Sequence, residues 1–209
     1  LSSANAHLLA IIRQYPEFPA ALEALRAGWR NERLIHGDMK WDNCLVLDRG
    51  ELAHGTPSQP LRLRVIDWEL ADFGDGLWDV GGIFHSFLCC WLMSMPPHDE
   101  ASVDQLLGSA RHPIEGMQPA MHAFWHAYLE GAGLASADSA PLLMRSMQYA
   151  AARMIQTAYE ALSYAPSITP ATLRLLQVSL NILTRPGDAL ADLLDLPAMG
   201  RPAGAGLRS

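Results

Sequence analysis

His36-Gly37-Asp38-Met39-Lys40-Trp41-Asp42-Asn43 and, further on, Val65-Ile66-Asp67-Trp68-Glu69 are the stretches whose reading decides this chain. Asn43 follows Asp38 by five positions, and Asp67 follows Asn43 by 24. After Asn43 comes Cys44-Leu45-Val46-Leu47, an apolar run that reads as a strand, then a polar stretch from Asp48 to Pro60 containing Gly and Pro. Leu61 to Ile66 alternates and reads as a second strand. A hairpin of these two strands returns Asp67 to the neighbourhood of Asn43. Phosphoryl transfer needs a carboxylate to orient the attacking hydroxyl and oxygen ligands to hold Mg²⁺ against nucleotide phosphates. Asp38 suits the first task; Asn43 and Asp67 suit the second. His-Gly-Asp alone also suits an ordinary turn, with Gly at positive φ and Asp bonding nearby backbone. The Asn and the second Asp at their offsets weigh against that reading.

The Asp-to-Asn spacing resembles the catalytic loop of protein kinases, and Gly37 in place of their Arg makes the loop resemble the aminoglycoside phosphotransferase family. Gly74-Asp75-Gly76-Leu77-Trp78-Asp79-Val80-Gly81 resembles that family's G-D-x-x-x-D stretch. The resemblance implies a protein-kinase-like C-terminal lobe that uses ATP (or GTP) and Mg²⁺, with Asp38 catalytic and Asn43 and Asp67 on the metal. It implies that Asp79 starts a buried helix and, with His36, supports the catalytic loop; an ordinary helix N-cap is the alternative for Asp79. Lys40 stands where many protein kinases place a Lys and many aminoglycoside phosphotransferases do not; the resemblance to the kinases implies a catalytic, nucleotide-contacting cation that neutralises the transferring phosphoryl, and a surface Lys is the alternative. Glu69 stands where protein kinases have Gly, as in choline-kinase-like members, either as an extra acceptor near the metal or as a solvated side chain.

The resemblance covers the C-terminal lobe, residues 1–195, with 196–209 expected to be a flexible tail. Before His36 nothing is Gly-rich or strand-like, and Lys40 is the only lysine in the sequence. The N-terminal lobe that would cover the phosphates is therefore expected elsewhere, on the same or a separate chain. The predicted fold is mainly α with a small β-hairpin (α+β). Helical pieces are expected over 4–29, broken near Tyr15-Pro16-Glu17-Phe18-Pro19, then from Leu77, near 100–110, 116–132 and 139–164, and from Thr169-Pro170 to Leu183. A further short turn is expected within 188–194.

Fifteen Lys+Arg against 22 Asp+Glu give a net charge of −7, which argues against a general nucleic-acid binder. Three cysteines, Cys44, Cys89 and Cys90, form no zinc or disulfide pattern and fit a reducing, cytoplasmic setting. Leu77 to Met95 is long and apolar, but Asp79 and His85 interrupt it, so a core helix is expected and no membrane span. His122 and His126 have i, i+4 spacing for a shared metal, yet Ala123 stands where H-E-x-x-H has Glu; packing or surface roles are preferred. Tyr149, Arg153, Tyr159 and Glu160 either line a pocket or pack in the core.

Only 12 positions separate Asp67 from Asp79. Protein kinases use a far longer segment there as a peptide platform, whereas the small-molecule kinases this chain resembles are short. The expected substrate is a small-molecule hydroxyl (an aminoglycoside or other antibiotic, a sugar, an amino alcohol), with acceptor specificity in the helical region of about 77–185. Two alternatives stay open: a non-catalytic kinase-like binding module, and an enzyme phosphorylating a peptide side chain in natural-product maturation.

Overall fold

The computed structural model describes residues 2–47, 62–97, 102–135 and 139–195. The expectations for the 48–60 connection and the 196–209 tail lie outside them. The protein is mainly helical, 68 % helix, with small two-stranded pairs, an α+β arrangement. Helices α1 (Ser3–Gln14) and α2 (Glu17–Ala27) lead into strand β1 (Arg33–Ile35). Strands β2 (Cys44–Leu47), β3 (Arg62–Val65) and β4 (Asp72–Gly74) follow, then α3 (Gly76–Met93), α4 (Val103–Gly108), α5 (Ile114–Gly131), α6 (Ser139–Ala161), α7 (Pro170–Thr184) and α8 (Pro186–Leu194).

Local chemistry sets these boundaries. Ser2 caps α1 by accepting from the Asn5 N–H, and Thr169 caps α7 by accepting from Thr172, with Pro170 in the first turn where no N–H is needed. The 15–16 break separates α1 from α2 at a proline. The expected hairpin is β2 against β3, antiparallel, with Cys44 opposite Val65 and Val46 opposite Leu63. A second pair was not expected: β1 lies antiparallel to β4, with Leu34 opposite Phe73. Three-residue strands carry too little period to be read from sequence, and this pairing depends on the chain returning past Asp67.

The core forms where α3 packs along α6 and α6 along α7. Phe84, Leu88, Met121, Met147, Met154 and Ile182 are fully buried there. The adjacent Gly81 and Gly82 give α3 two close approaches. A Cβ on Gly81 would meet the α6 backbone and Tyr149, and one on Gly82 would strike the Met39 carbonyl. The loop 36–43 and α6 therefore press on α3 from different directions. Among the described residues α3 is the single helix long and apolar enough to cross a membrane, and its buried residues, Phe84, Leu88 and Leu92 among them, belong to this core.

Candidate functional site

The loop 36–43 connects β1 to β2 and rests on the first turn of α3. Asp75, not Asp79, is the N-cap of that helix, accepting from the Leu77 N–H at 3.1 Å. Asp79 lies one turn further in and accepts the N–H of His36 at 2.6 Å and of Gly37 at 3.1 Å. Burial pushes the Asp79 carboxyl above its ordinary range, and the two N–H bonds oppose that rise without cancelling it.

His36 is buried, and its ring orientation follows from its partners. Nδ1 accepts the Asp38 N–H at 3.3 Å, so the proton sits on Nε2, which donates to the Ile66 carbonyl at 2.7 Å. The ring thus ties the loop to the strand end that carries Asp67, and it packs on Trp68 with centroids 4.7 Å apart. Gly37 has φ 81°, and a Cβ there would stand 2.5 Å from the Leu70 carbonyl oxygen. Only glycine meets both demands.

Asp38 is held on both carboxylate oxygens. Lys40 Nζ lies 2.5 Å from Oδ2, and Arg153 Nη2 donates to Oδ1 at 2.8 Å. Lys40 therefore rests on the Asp38 carboxylate itself. Burial raises the Asp38 carboxyl, but the hydrogen bonds and charges of Lys40 and Arg153 outweigh it, leaving the group below its ordinary range.

Asn43 is buried and commits its Nδ2 to the Asp38 main-chain oxygen at 2.9 Å, with Asp38 Oδ2 at 3.4 Å. Its Oδ1 is the atom left for a cation. The Asn43 carbonyl accepts the Ile66 N–H at 3.0 Å, extending the hairpin ladder by one pair. Asp67, the next residue, is brought beside Asn43. Its backbone is left-handed, φ 66° and ψ 53°, a conformation costing a non-glycine residue on the order of 1 kcal/mol. Its exposed carboxylate accepts no hydrogen bond among the described residues. Glu69 is also exposed, in the short 3-10 turn Trp68–Leu70.

Among the described residues no group of three or more His, Cys, Asp and Glu could hold a metal. One carboxamide and one carboxylate instead suit Mg²⁺, which keeps water ligands and takes others from substrate phosphates.

Arg153 is the member of the site that its sequence position left undecided. It is 6 % exposed, donates Nη1 to the Gly37 carbonyl at 3.1 Å, and lies over the Trp78 ring at 5.2 Å. Trp78 Nε1 donates to the same carbonyl at 2.8 Å. One helical turn before Arg153 stands Tyr149, and one turn before that Arg145, all on one face of α6. Tyr149 donates to buried Asp75 at 2.9 Å, Arg145 lies 2.5 Å from the same carboxylate, and Arg145 also donates to the Gly28 carbonyl. Burial, followed by the bond to Asp75, pushes the Tyr149 hydroxyl up to about 12, with Arg145 opposing. The available signal was this 145/149/153 stripe of polar tips on an otherwise apolar helix face. Tyr159 and Glu160 do not join it: Tyr159 is 37 % exposed, and Glu160 accepts from Gln156.

The histidine pair separates. His122 Nε2 donates to the Leu194 carbonyl, and His126 is exposed. All three cysteines are free thiols, and burial pushes Cys89 up to about 12. No protein-family model matches the chain, and no curated protein matches it.

Proposed function

We propose that the chain is the C-terminal lobe of a protein-kinase-like phosphotransferase that moves a phosphoryl group from ATP or GTP to a small-molecule hydroxyl, resembling the aminoglycoside phosphotransferase and choline-kinase-like family. The observation that carries this reading is that the loop bearing Asp38 and Asn43 is tied, at one end of the β2–β3 hairpin, to Ile66, the residue before Asp67. The Asn43–Ile66 and His36–Ile66 bonds link the two segments.

Asn43 Oδ1 and the Asp67 carboxylate would hold Mg²⁺, which when bound screens phosphate charge and orients the nucleotide. Asp38 orients the acceptor hydroxyl and receives its proton. Lys40, now paired with Asp38, would supply a cation to the transferring phosphoryl. Arg153 keeps Asp38 Oδ1 fixed, and the acceptor would take the Oδ2 side once Lys40 turns from it to the phosphoryl group. The connection from Asp67 to α3 is a 3-10 turn and a three-residue strand, with no platform for a peptide; this favours a small acceptor.

The exposed carboxylate of Asp67 and the exposed apolar residues of the strands and the 3-10 turn support a second, covering lobe. Leu34, Val46, Leu63, Leu70 and Phe73 are each at least 60 % exposed. A non-catalytic binding module is the second reading, and the occupation of both Asp38 oxygens by cations favours it.

The test is transfer of labelled γ-phosphoryl from MgATP and MgGTP to a panel of aminocyclitols, sugars and amino alcohols, using the full-length protein. Transfer should require Mg²⁺, and Asp38→Asn should lower kcat by roughly 10²–10⁴-fold with nucleotide affinity retained. Nucleotide binding without transfer to any acceptor selects the binding module. Undiminished turnover by Asp38→Asn removes the proposed role of Asp38.

A further inference from the structure

We propose that the cavity enclosed by the end of α3 with α4, α7 and α8 binds a small amphiphilic anion, an apolar chain or ring ending in a carboxylate. The cavity measures about 540 Å³, inside the range of small-molecule sites, about 300–1,000 Å³. Its walls are apolar, with Trp91 and Met95 from the α3 end, Leu106 from α4, and Ile182 and Leu193 from α7 and α8. It lies at the other end of α3 from Asp79, so it stands apart from the phosphoryl-transfer reading and does not depend on it.

Arg174 is the group that names the ligand. It lines the cavity from α7, donating Nη2 to the Met95 carbonyl at 3.2 Å. Its Nε is buried with no partner, and among the described residues no carboxylate lies within ion-pair reach of it. In the neighbouring polar pair, Gln177 donates to Asn181 at 3.1 Å. Arg174 is half-buried: its Nη2 has the Met95 carbonyl, its Nε has no acceptor, and no carboxylate among the described residues balances its charge. A carboxylate supplies both, while its apolar body covers the Trp91 and Ile182 walls. Asp192 borders the cavity but is exposed. An acid at the rim selects against polyanions and favours a single charge carried inward to Arg174.

The test is calorimetric titration and thermal denaturation of the whole chain with octanoate, octan-1-ol and octylamine. Octanoate should bind one to one and raise Tm, with octanol and octylamine at least about tenfold weaker, the scale of one lost charge-assisted hydrogen bond. Arg174→Gln should bring octanoate down to the level of octanol, while Arg174→Lys should keep a preference for the acid. Ala189→Leu, which adds bulk to the cavity wall, should abolish binding. Equal affinity for octanoate and octanol would overturn the anion assignment. Octanoate binding that survives Ala189→Leu would put the ligand elsewhere, for instance in the shallower cavity where Arg174 faces α1 and α2. No binding of octanoate at all would remove the site. The wild-type ranking of the three probes decides the question even where a variant does not fold.

Discussion

Asp38 carries its charge between two cations of different character. Lys40 comes from the same loop and is partly exposed, whereas Arg153 comes from α6 and is buried against the Trp78 ring. The exposed pair is screened and free to exchange; the buried one is fixed. Arg153→Met should therefore remove the orientation of Asp38 more than its charge, lowering the proposed phosphoryl transfer by about 10–100-fold. In an Asp38→Asn background the same change should cost much less, because its target is gone. Equal losses in both backgrounds would make Arg153 a general structural residue. Asp67 offers the opposite experiment. Its left-handed backbone is strained for aspartate and relaxed for glycine, so Asp67→Gly should leave Tm unchanged or raise it, by a gain of up to about 1 kcal/mol. The same variant should lose Mg²⁺-dependent nucleotide binding. A markedly lower Tm would show that the Asp67 side chain has a folding role that its exposure does not reveal.

At the scale of elements, the seam between α3 and α6 contains a titration. His85 sits in it with Nε2 on Thr157 Oγ1 at 2.8 Å and Cys89 Sγ at 3.2 Å, while Nδ1 is buried without a partner. Burial first, and the Arg153 charge second, lower this histidine to about 4, from an ordinary value of 6.5. The unfolded chain then binds a proton that the folded chain refuses between those two values. The associated stability is fully present above pH 6.5 and is lost as the pH falls toward 4, at most about 3 kcal/mol. Denaturant melts across this window should show the slope, and His85→Gln should flatten it. An unchanged slope in that variant would assign the acid sensitivity to other groups. The short strands belong to the same scale: β1–β4 and β2–β3 each expose one apolar cross-strand pair, Leu34–Phe73 and Val46–Leu63. Leu34 and Leu63 also border a common cavity of about 340 Å³ beside Asp79. Two sheets so small bury little on their own and are steadied by α3 and by the loop bonds to Asp79.

For the molecule as a whole, packing and chemistry sit at different places. The core gathers along α3, α6 and α7, and the candidate site lies on the strand-bearing surface with Asp67 open to water. Electrostatic stabilisation of a transferring phosphoryl needs a site from which water is excluded. The 209 residues alone are thus expected to fold, to associate weakly through the exposed apolar residues, and not to turn over MgATP. Sedimentation and a hydrolysis assay on these residues and on the full-length protein check the expectation. Robust turnover by the chain alone would mean that it closes its own nucleotide site.

The loop chemistry and the helical periods were legible because they are local. Gly37 at positive φ, Asp38 and Asn43 at a five-residue spacing, and the Thr169-Pro170 start of α7 are each written in neighbouring residues. The return of Asp67 to Asn43 was legible too, since alternating strands on either side of a polar stretch imply a hairpin. The β1–β4 pair, the transfer of the N-cap to Asp75 and the meeting of Arg153 with Asp38 were decided only in three dimensions. Arg153 lies 115 positions from Asp38, and nothing in its flanking sequence separates a solvated arginine from a buried one. The distinction is made by helix packing, which withdraws the guanidinium from water and leaves the Asp38 carboxylate and the Gly37 carbonyl as its acceptors.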